Sequence, residues 1–183
     1  TATWPCSKAR SSARGGSAQV VGVMAEAGTG KSRLCAEFLD SCRARGLQVI
    51  EARGLSHGKQ LPLAAALELM RSFFGIAEGD GERLAREKIA GRVLLLDEAL
   101  RDELPIFFDL LGLPDPARPL PALEPEALQR RMHNAVRAIA RANGRVEAAV
   151  LLVEDLHWLD AASDAVLAQV IAGNAESRGL VLA

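Results

Sequence analysis

Residues Ala18–Ser32 read AQVVGVMAEAGTGKS, and how this stretch folds decides the rest. Its first half, Ala18–Met24, is apolar and β-branched, the composition of a short strand buried in a parallel sheet. The run then breaks into a glycine-containing turn. From Lys31 the period changes: Leu34, Cys35, Phe38, Leu39 and Cys42 fall on one helical stripe, and Gly46 stands where a helix-ending glycine belongs. Leu47–Ala52 (LQVIEA) reads as a second strand. Strand, loop, helix and strand in this order make a βαβ unit and a parallel sheet.

The loop inside that unit, Ala25–Ser32 (AEAGTGKS), has the chemistry of a phosphate cradle. Gly28 and Gly30 let the backbone curl tightly and turn successive N–H groups inward as a nest for phosphate oxygens. The helix that starts at Lys31 points its positive dipole end at the same place. Lys31 adds a cation for the β- and γ-phosphates, and Ser32 offers a hydroxyl to Mg²⁺. The expected ATP-binding residues are therefore Ala25, Glu26, Ala27, Gly28, Thr29, Gly30, Lys31, Ser32 and Arg33. The longer pattern GxxxxGK[ST] usually opens on glycine, and Ala25 stands there instead. Its methyl group crowds the junction of strand and loop, but the inward amides come mostly from Gly28 onward.

A cradle alone only holds phosphate; hydrolysis also needs acidic groups at the end of a neighbouring strand. Val146–Val153 reads as the strongest strand of the chain and ends in Glu154-Asp155. One carboxylate is expected to reach Mg²⁺, directly through water or by way of Ser32, and the other to orient an attacking water. Side chains alternate across a strand, so the two cannot point the same way. By position, Glu154 takes the metal side and Asp155 the water. His157 follows either as surface filler or as a hydrogen-bonding relay from the γ-phosphate to the next helix.

Composition bounds the alternatives. The 183 residues are enough for one self-supporting core. Aromatic residues make up 4% and Tyr is absent, so the core is expected to be built from Leu, Ala, Val and Ile. A net charge of −1 offers no electrostatic case for nucleic acid or an anionic membrane. Cys6, Cys35 and Cys42 form no CxxC pair, which speaks against a disulfide framework and a zinc site. Buried free thiols and a reducing cytoplasm are expected. Thr1–Ser17 is polar and basic, reads as a disordered lead-in, and lacks the apolar core of a signal peptide.

The middle of the chain has a different rhythm. Leu63, Leu67, Met70 and Phe74 space out a helix ending near Gly75. Glu82–Leu100 and Leu104–Leu111 are expected to be helical, interrupted at Gly91 and Pro105. Prolines at 114, 116, 119, 121 and 125 mark an extended connector, so residues 61–124 read as a helical insertion between strands 2 and 3. Pro125 opens a further helix with Leu128, Met132, Val136 and Ile139 buried, and Gly144 is expected to end it. Arg130, Arg131, Arg137 and Arg141 are expected on its solvated faces. Asp160 is placed to cap a helix carrying Val166, Leu167, Val170 and Ile171, and Gly179–Ala183 begins another apolar run.

Two segments, Gly28–Leu34 (GTGKSRL) and Val153–Asp160 (VEDLHWLD), resemble the STAND class of AAA-like ATPases. More narrowly, they are similar to the modules found beside class III adenylate/guanylate cyclase domains and in large LuxR-type regulators of bacteria. Leu61–Leu63 and Leu110–Asp115 share the flavour of that family. The resemblance implies an α/β P-loop NTPase fold of the ASCE type, three layers thick, with strand order 5-1-4-3-2. It also implies ATP used as a conformational switch in signalling. On this reading the chain is a fragment whose C-terminal part is missing from the fourth strand onward, leaving Val20–Met24 as an uncovered sheet edge. ATP or ADP is then one partner, and other domains of the full-length chain (cyclase, winged-helix or TPR) are the others. No direct contact with nucleic acid or membrane is expected. Three activities stay open: slow ATP hydrolysis, nucleotide sensing without turnover, and transfer of phosphate by a P-loop kinase.

Replacing Lys31 with alanine is expected to abolish nucleotide affinity, which titration calorimetry with ATP and Mg²⁺ would show directly.

Overall fold

The computed structural model describes residues 19–23, 26, 28–54, 62–175, 177 and 179–182. The expected lead-in Thr1–Ser17 and the loop residues Met24, Ala25 and Ala27 lie outside them. Among the described residues, four parallel strands form one sheet: β1 (Gln19–Val21), β2 (Gln48–Arg53), β3 (Ala149–Glu154) and β4 (Leu180–Leu182). Their spatial order is β1-β4-β3-β2, the 1-4-3-2 portion of the order expected from the resemblance. Helix α1 (Lys31–Ala44) covers one face. Helices α2 (Ala64–Phe74), α5 (Pro125–Val146) and α6 (Ala161–Asn174) cover the other, with α3 (Glu82–Leu96) and α4 (Leu104–Leu110) packed beyond them.

The pleat of β3 explains the layering. Val150 and Leu152 pack with Cys35, Leu39 and Cys42 of α1, whereas Leu151 and Val153 pack with Leu69 of α2 and Leu167 of α6. A strand covered on both faces must be apolar at every position, which is why VLLV lacks the polar alternation of a half-exposed strand. Cys35 and Cys42 are buried on one face of α1, as their spacing predicts.

Several boundaries differ from the sequence reading. The first strand is Gln19–Val21 rather than Ala18–Met24, and β3 begins at Ala149 because α5 continues through Val146. Gly144 does not end α5. A Cβ there would lie 2.3 Å from Ser177 Cβ, so its lack of a side chain serves close packing. Gly91 does not interrupt α3, whose Ile89 and Val93 are fully buried and outweigh a glycine penalty of ~1 kcal/mol. The break comes at Asp97 instead, which turns extended and whose carboxylate accepts the Ala99 amide to start a 3-10 segment, Glu98–Glu103. Pro105 sits in the first turn of α4, where its missing N–H is harmless.

The core is also less aliphatic than the composition suggests. Phe74, Phe107 and Phe108 are buried in the cluster formed by α2, α3, α4, α5 and α6, and the Phe74 and Phe107 rings meet edge to face at 5.7 Å. Leu128 and Met132 are only half-buried at its margin. Arg130, Arg137 and Arg141 are exposed, but Arg131 is not simply solvated. It donates to Glu103 at 2.9 Å and to the Asp102 carbonyl at 3.0 Å, tying α5 to the 3-10 segment.

The two sheet edges are finished differently. Along β2, side chains of α2 take outward amides: Glu51 N donates to Ser72 Oγ and Arg53 N to Glu68 Oε2. Such capping blunts the edge against pairing with another strand. At β1 the side chains are exposed, Val20 to 58%. No helix among the described residues is long and apolar enough to cross a membrane.

Two contacts lock α6. Gly173 lies against α5 so closely that a Cβ would come 2.5 Å from the Arg137 carbonyl oxygen and 2.8 Å from Ala140 Cβ. At its other end, Asp160 Oδ1 accepts the amides of Ala162 and Ser163, both at 3.0 Å, and Oδ2 accepts Ser163 Oγ at 2.6 Å. Oδ1 also accepts the Leu63 amide at 3.2 Å, which joins α6 to the start of α2. Burial pushes the Asp160 carboxyl up, but these hydrogen bonds to the ionised form outweigh it and hold the pKa below the ordinary 3.8.

Gly173→Ala is expected to lower stability by ~1–3 kcal/mol in urea denaturation, since its nearest obstacle is backbone. Because the folded pKa of Asp160 is depressed, its contribution is complete above the ordinary carboxylate value and is lost as pH falls through the folded one. The stability difference between the wild type and Asp160→Asn is therefore expected to shrink as pH drops from about 6 to about 3.

Candidate functional site

The described residues of the loop, Glu26 and Gly28–Ser32, form a tight turn ahead of α1. Thr29 folds back on Glu26, donating both its amide and its hydroxyl (2.8 Å for the latter) to the Glu26 carbonyl. Gly28 and Gly30 take φ of +82° and +88°, the left-handed region in which other residues are strained. Gly30 is the N-cap of α1, and the first helical bond of that end runs from Leu34 N to the Gly30 carbonyl at 3.0 Å. The amides of Lys31, Ser32 and Arg33 precede that bond, so they are donors the helix cannot satisfy internally. They lie at an exposed, positively polarised helix end, which is the requirement for holding an anion. The Arg33 guanidinium is turned away toward Glu37, donating to its carboxylate at 3.0 Å, so Arg33 offers the site its backbone rather than its charge.

The parallel sheet brings the acidic pair to the same edge. β1 leads into the cradle and β3 ends at Glu154, and both strands point the same way. Cys35, one turn into α1, reports the proximity. Burial pushes its thiol up, the Glu154 carboxylate raises it further, and the Lys31 ammonium pulls it down. Cys35 packs with Val150 and Leu152 of β3, which brings the start of α1, at Lys31, to the face of the strand that ends at Glu154. Lys31 and Glu154 are on the same side of the molecule.

Glu154 and Asp155 diverge at once. Glu154 is the last residue of β3 and its side chain is 17% exposed. Asp155 is exposed and takes φ +56°, ψ +46°, an unusual conformation for a residue with a side chain but one aspartate tolerates. That kink starts a 3-10 turn, Leu156–Trp158, closed by the Trp158 amide donating to the Asp155 carbonyl at 2.9 Å. His157 is exposed, with its ring 4.9 Å from that of Trp158.

Two further residues of this edge escape sequence reasoning. Arg53 pairs in register with Glu154, donates Nε to Glu154 Oε2 at 3.0 Å, and brings a second guanidinium nitrogen to the same oxygen. The bond to Glu154 raises the Arg53 pKa, with the charge of Glu154 adding to it. Gly54, directly after it, donates its amide to the Glu154 carbonyl at 2.9 Å, and a Cβ there would meet the Asp155 carbonyl oxygen at 2.3 Å. A glycine straight after a strand was the one available signal for such a close approach. Nothing local marks Arg53, because its partner is chosen by sheet register.

The residues present fit a nucleotide with its metal: three amides that the helix cannot pair internally and an ammonium for phosphate, a serine hydroxyl, and two carboxylates at and just beyond the end of β3. A family model of the AAA ATPase domain matches residues 8–182. No curated protein and no solved structure matches the chain. With nearly its whole length covered by that family model, and with cradle and acidic strand end at one sheet edge, the chain belongs to the AAA ATPase domain family.

Proposed function

We propose that the chain binds ATP with Mg²⁺ at Gly28–Ser32 and hydrolyses it slowly, as a conformational switch within a larger bacterial signalling protein of the STAND class. The observation that supports this reading is geometric: β1, which leads toward Gly28–Ser32, and β3, which ends at Glu154, run parallel in one sheet, and α1 packs on Val150 and Leu152 of β3. The amides of Lys31, Ser32 and Arg33 hold phosphate oxygens, and the Lys31 ammonium balances the charge of the β- and γ-phosphates. Mg²⁺ would supply positive charge against the phosphate oxygens. Ser32 and Glu154 hold that ion from the loop and strand sides. Asp155, exposed and turned off the strand by its left-handed backbone, orients the attacking water.

The wider setting follows the same resemblance. The partners are other domains of the full-length chain, of cyclase, winged-helix or TPR type. The burial of Cys35 and Cys42 fits a reducing cytoplasm.

A second reading, nucleotide sensing without turnover, is favoured by the hold of Arg53 on Glu154. A carboxylate engaged by a guanidinium is less available to a metal, so the site as arranged suits binding better than chemistry. Single-turnover hydrolysis separates the two readings. Asp155→Asn is expected to slow the chemical step by at least ~100-fold while leaving ATP affinity near that of the wild type. A rate unchanged by that substitution would mean that Asp155 takes no part in turnover and would favour the sensing reading.

A further inference from the structure

The acidic strand end is joined to the start of α2 by a short connection that carries two internal hydrogen bonds. Five residues separate Glu154 from Asp160. Within them the Trp158 amide donates to the Asp155 carbonyl and the Leu159 amide donates to the Leu156 carbonyl at 3.0 Å, while Gly54 presses on the Asp155 carbonyl from the side. Little slack is left to absorb a movement of Glu154 or Asp155. Such a movement therefore reaches Asp160, whose Oδ1 holds both the first turn of α6 and the Leu63 amide. Ser163 makes a second tie to the same place. Its hydroxyl donates to Asp160 Oδ2 and accepts the Ala66 amide at 3.3 Å.

Of the two elements gripped by Asp160, one can yield and the other cannot. Helix α6 makes the most extensive helix–helix contact of the structure, with α5, and Gly173 sits flush against α5 backbone. On the other side, Leu63 is held at φ +66°, ψ +8° as the N-cap of α2. A leucine in the left-handed region costs on the order of 1–2 kcal/mol, and its side chain gives no capping bond in return. The Leu63 conformation is thus maintained from outside, by Asp160, and relaxes when that grip loosens. Its side chain also forms one wall of a groove of about 340 Å³ between α4 and α5, so its relaxation changes the shape of the helical layer.

We propose that Asp160 and Ser163 form a latch that couples occupancy of the nucleotide site to the conformation of Leu63 and the first turn of α2. The inference rests on nucleotide binding at Gly28–Ser32 and adds to it the route by which occupancy reaches the helical layer. When Glu154 and Asp155 rearrange around the bound phosphates, the 3-10 turn shifts Asp160, the bond to Leu63 N lengthens, and the start of α2 relaxes. The latch is a bistable element of the kind that transmission between sites requires.

Amide hydrogen exchange on the whole chain, with and without saturating Mg²⁺ and a non-hydrolysable ATP analogue, tests this once calorimetry has measured the affinity. In the wild type, exchange at Leu63 and Ala66 is expected to rise at least ~10-fold on binding, with amides in the middle of α5 unchanged. In Ser163→Ala and in Asp160→Asn, exchange at those two amides is expected to be fast already without nucleotide and to respond to it by less than about twofold, while the dissociation constant stays within about threefold of the wild type. A merely structural cap would instead raise exchange in the variants and leave the response to nucleotide intact, which overturns the latch. Binding in the wild type with unchanged exchange at Leu63 and Ala66 overturns the latch alone. Absence of any binding overturns the nucleotide reading and the latch with it.

Discussion

Everything in this structure leans on β3 being covered on both faces. Val150 and Leu152 are buried against α1, Leu151 and Val153 against α2 and α6, and each such side chain contributes ~1.5–3 kcal/mol relative to exposure. With both faces occupied, no charge can be carried until the strand runs out of sheet. The first ionisable side chains therefore appear at Glu154 and Asp155, at the carboxyl edge. Parallel sheets gather ligands at that edge because the loops that follow every strand meet there. The chemistry of the site is a consequence of how the core is packed.

The same edge shows how backbone and side chain divide the work. On the side of β1, the features exposed at the edge belong to the main chain: two left-handed glycines and three amides that precede the first helical bond. On the side of β3 it is a property of side chains, and these are constrained by neighbours. Arg53 holds Glu154, Gly54 fits beneath the Asp155 carbonyl, and Asp160 gathers four hydrogen bonds at the start of α6. An anion-binding loop can remain exposed because its donors are solvated when empty. An acidic cluster beside a core needs counter-charge and donors around it.

Much of this was legible in the residues. The cradle was readable because its geometry is local: glycine at positions 28 and 30, followed by an apolar stripe at helical spacing, needs no distant partner. The Asp160 cap and the apolar run of β3 were readable for the same reason. The misreadings fall where distant packing overrode a local habit. Gly91 and Gly144 look like breaks in a helix, yet the first is carried by the burial of Ile89 and Val93 and the second gives room to Ser177. A small aromatic count suggested an aliphatic core, yet three of the phenylalanines are concentrated at the one place where α2 meets α4. Arg131 looked solvated until the 3-10 segment brought Glu103 beneath it.

The amino-acid sequence by itself therefore determined the order of elements, the glycine turn ahead of α1 and the position of the acidic pair, since each is set by torsional preference and apolar period within one short segment. Only the tertiary structure decided that Arg53 pairs with Glu154, 101 residues away, and that Leu63 hangs from Asp160 across 97 residues. Such partners are fixed by strand register and by which helix face meets the sheet. Those depend on how all the apolar surfaces pack together, and no local stretch of residues carries that information.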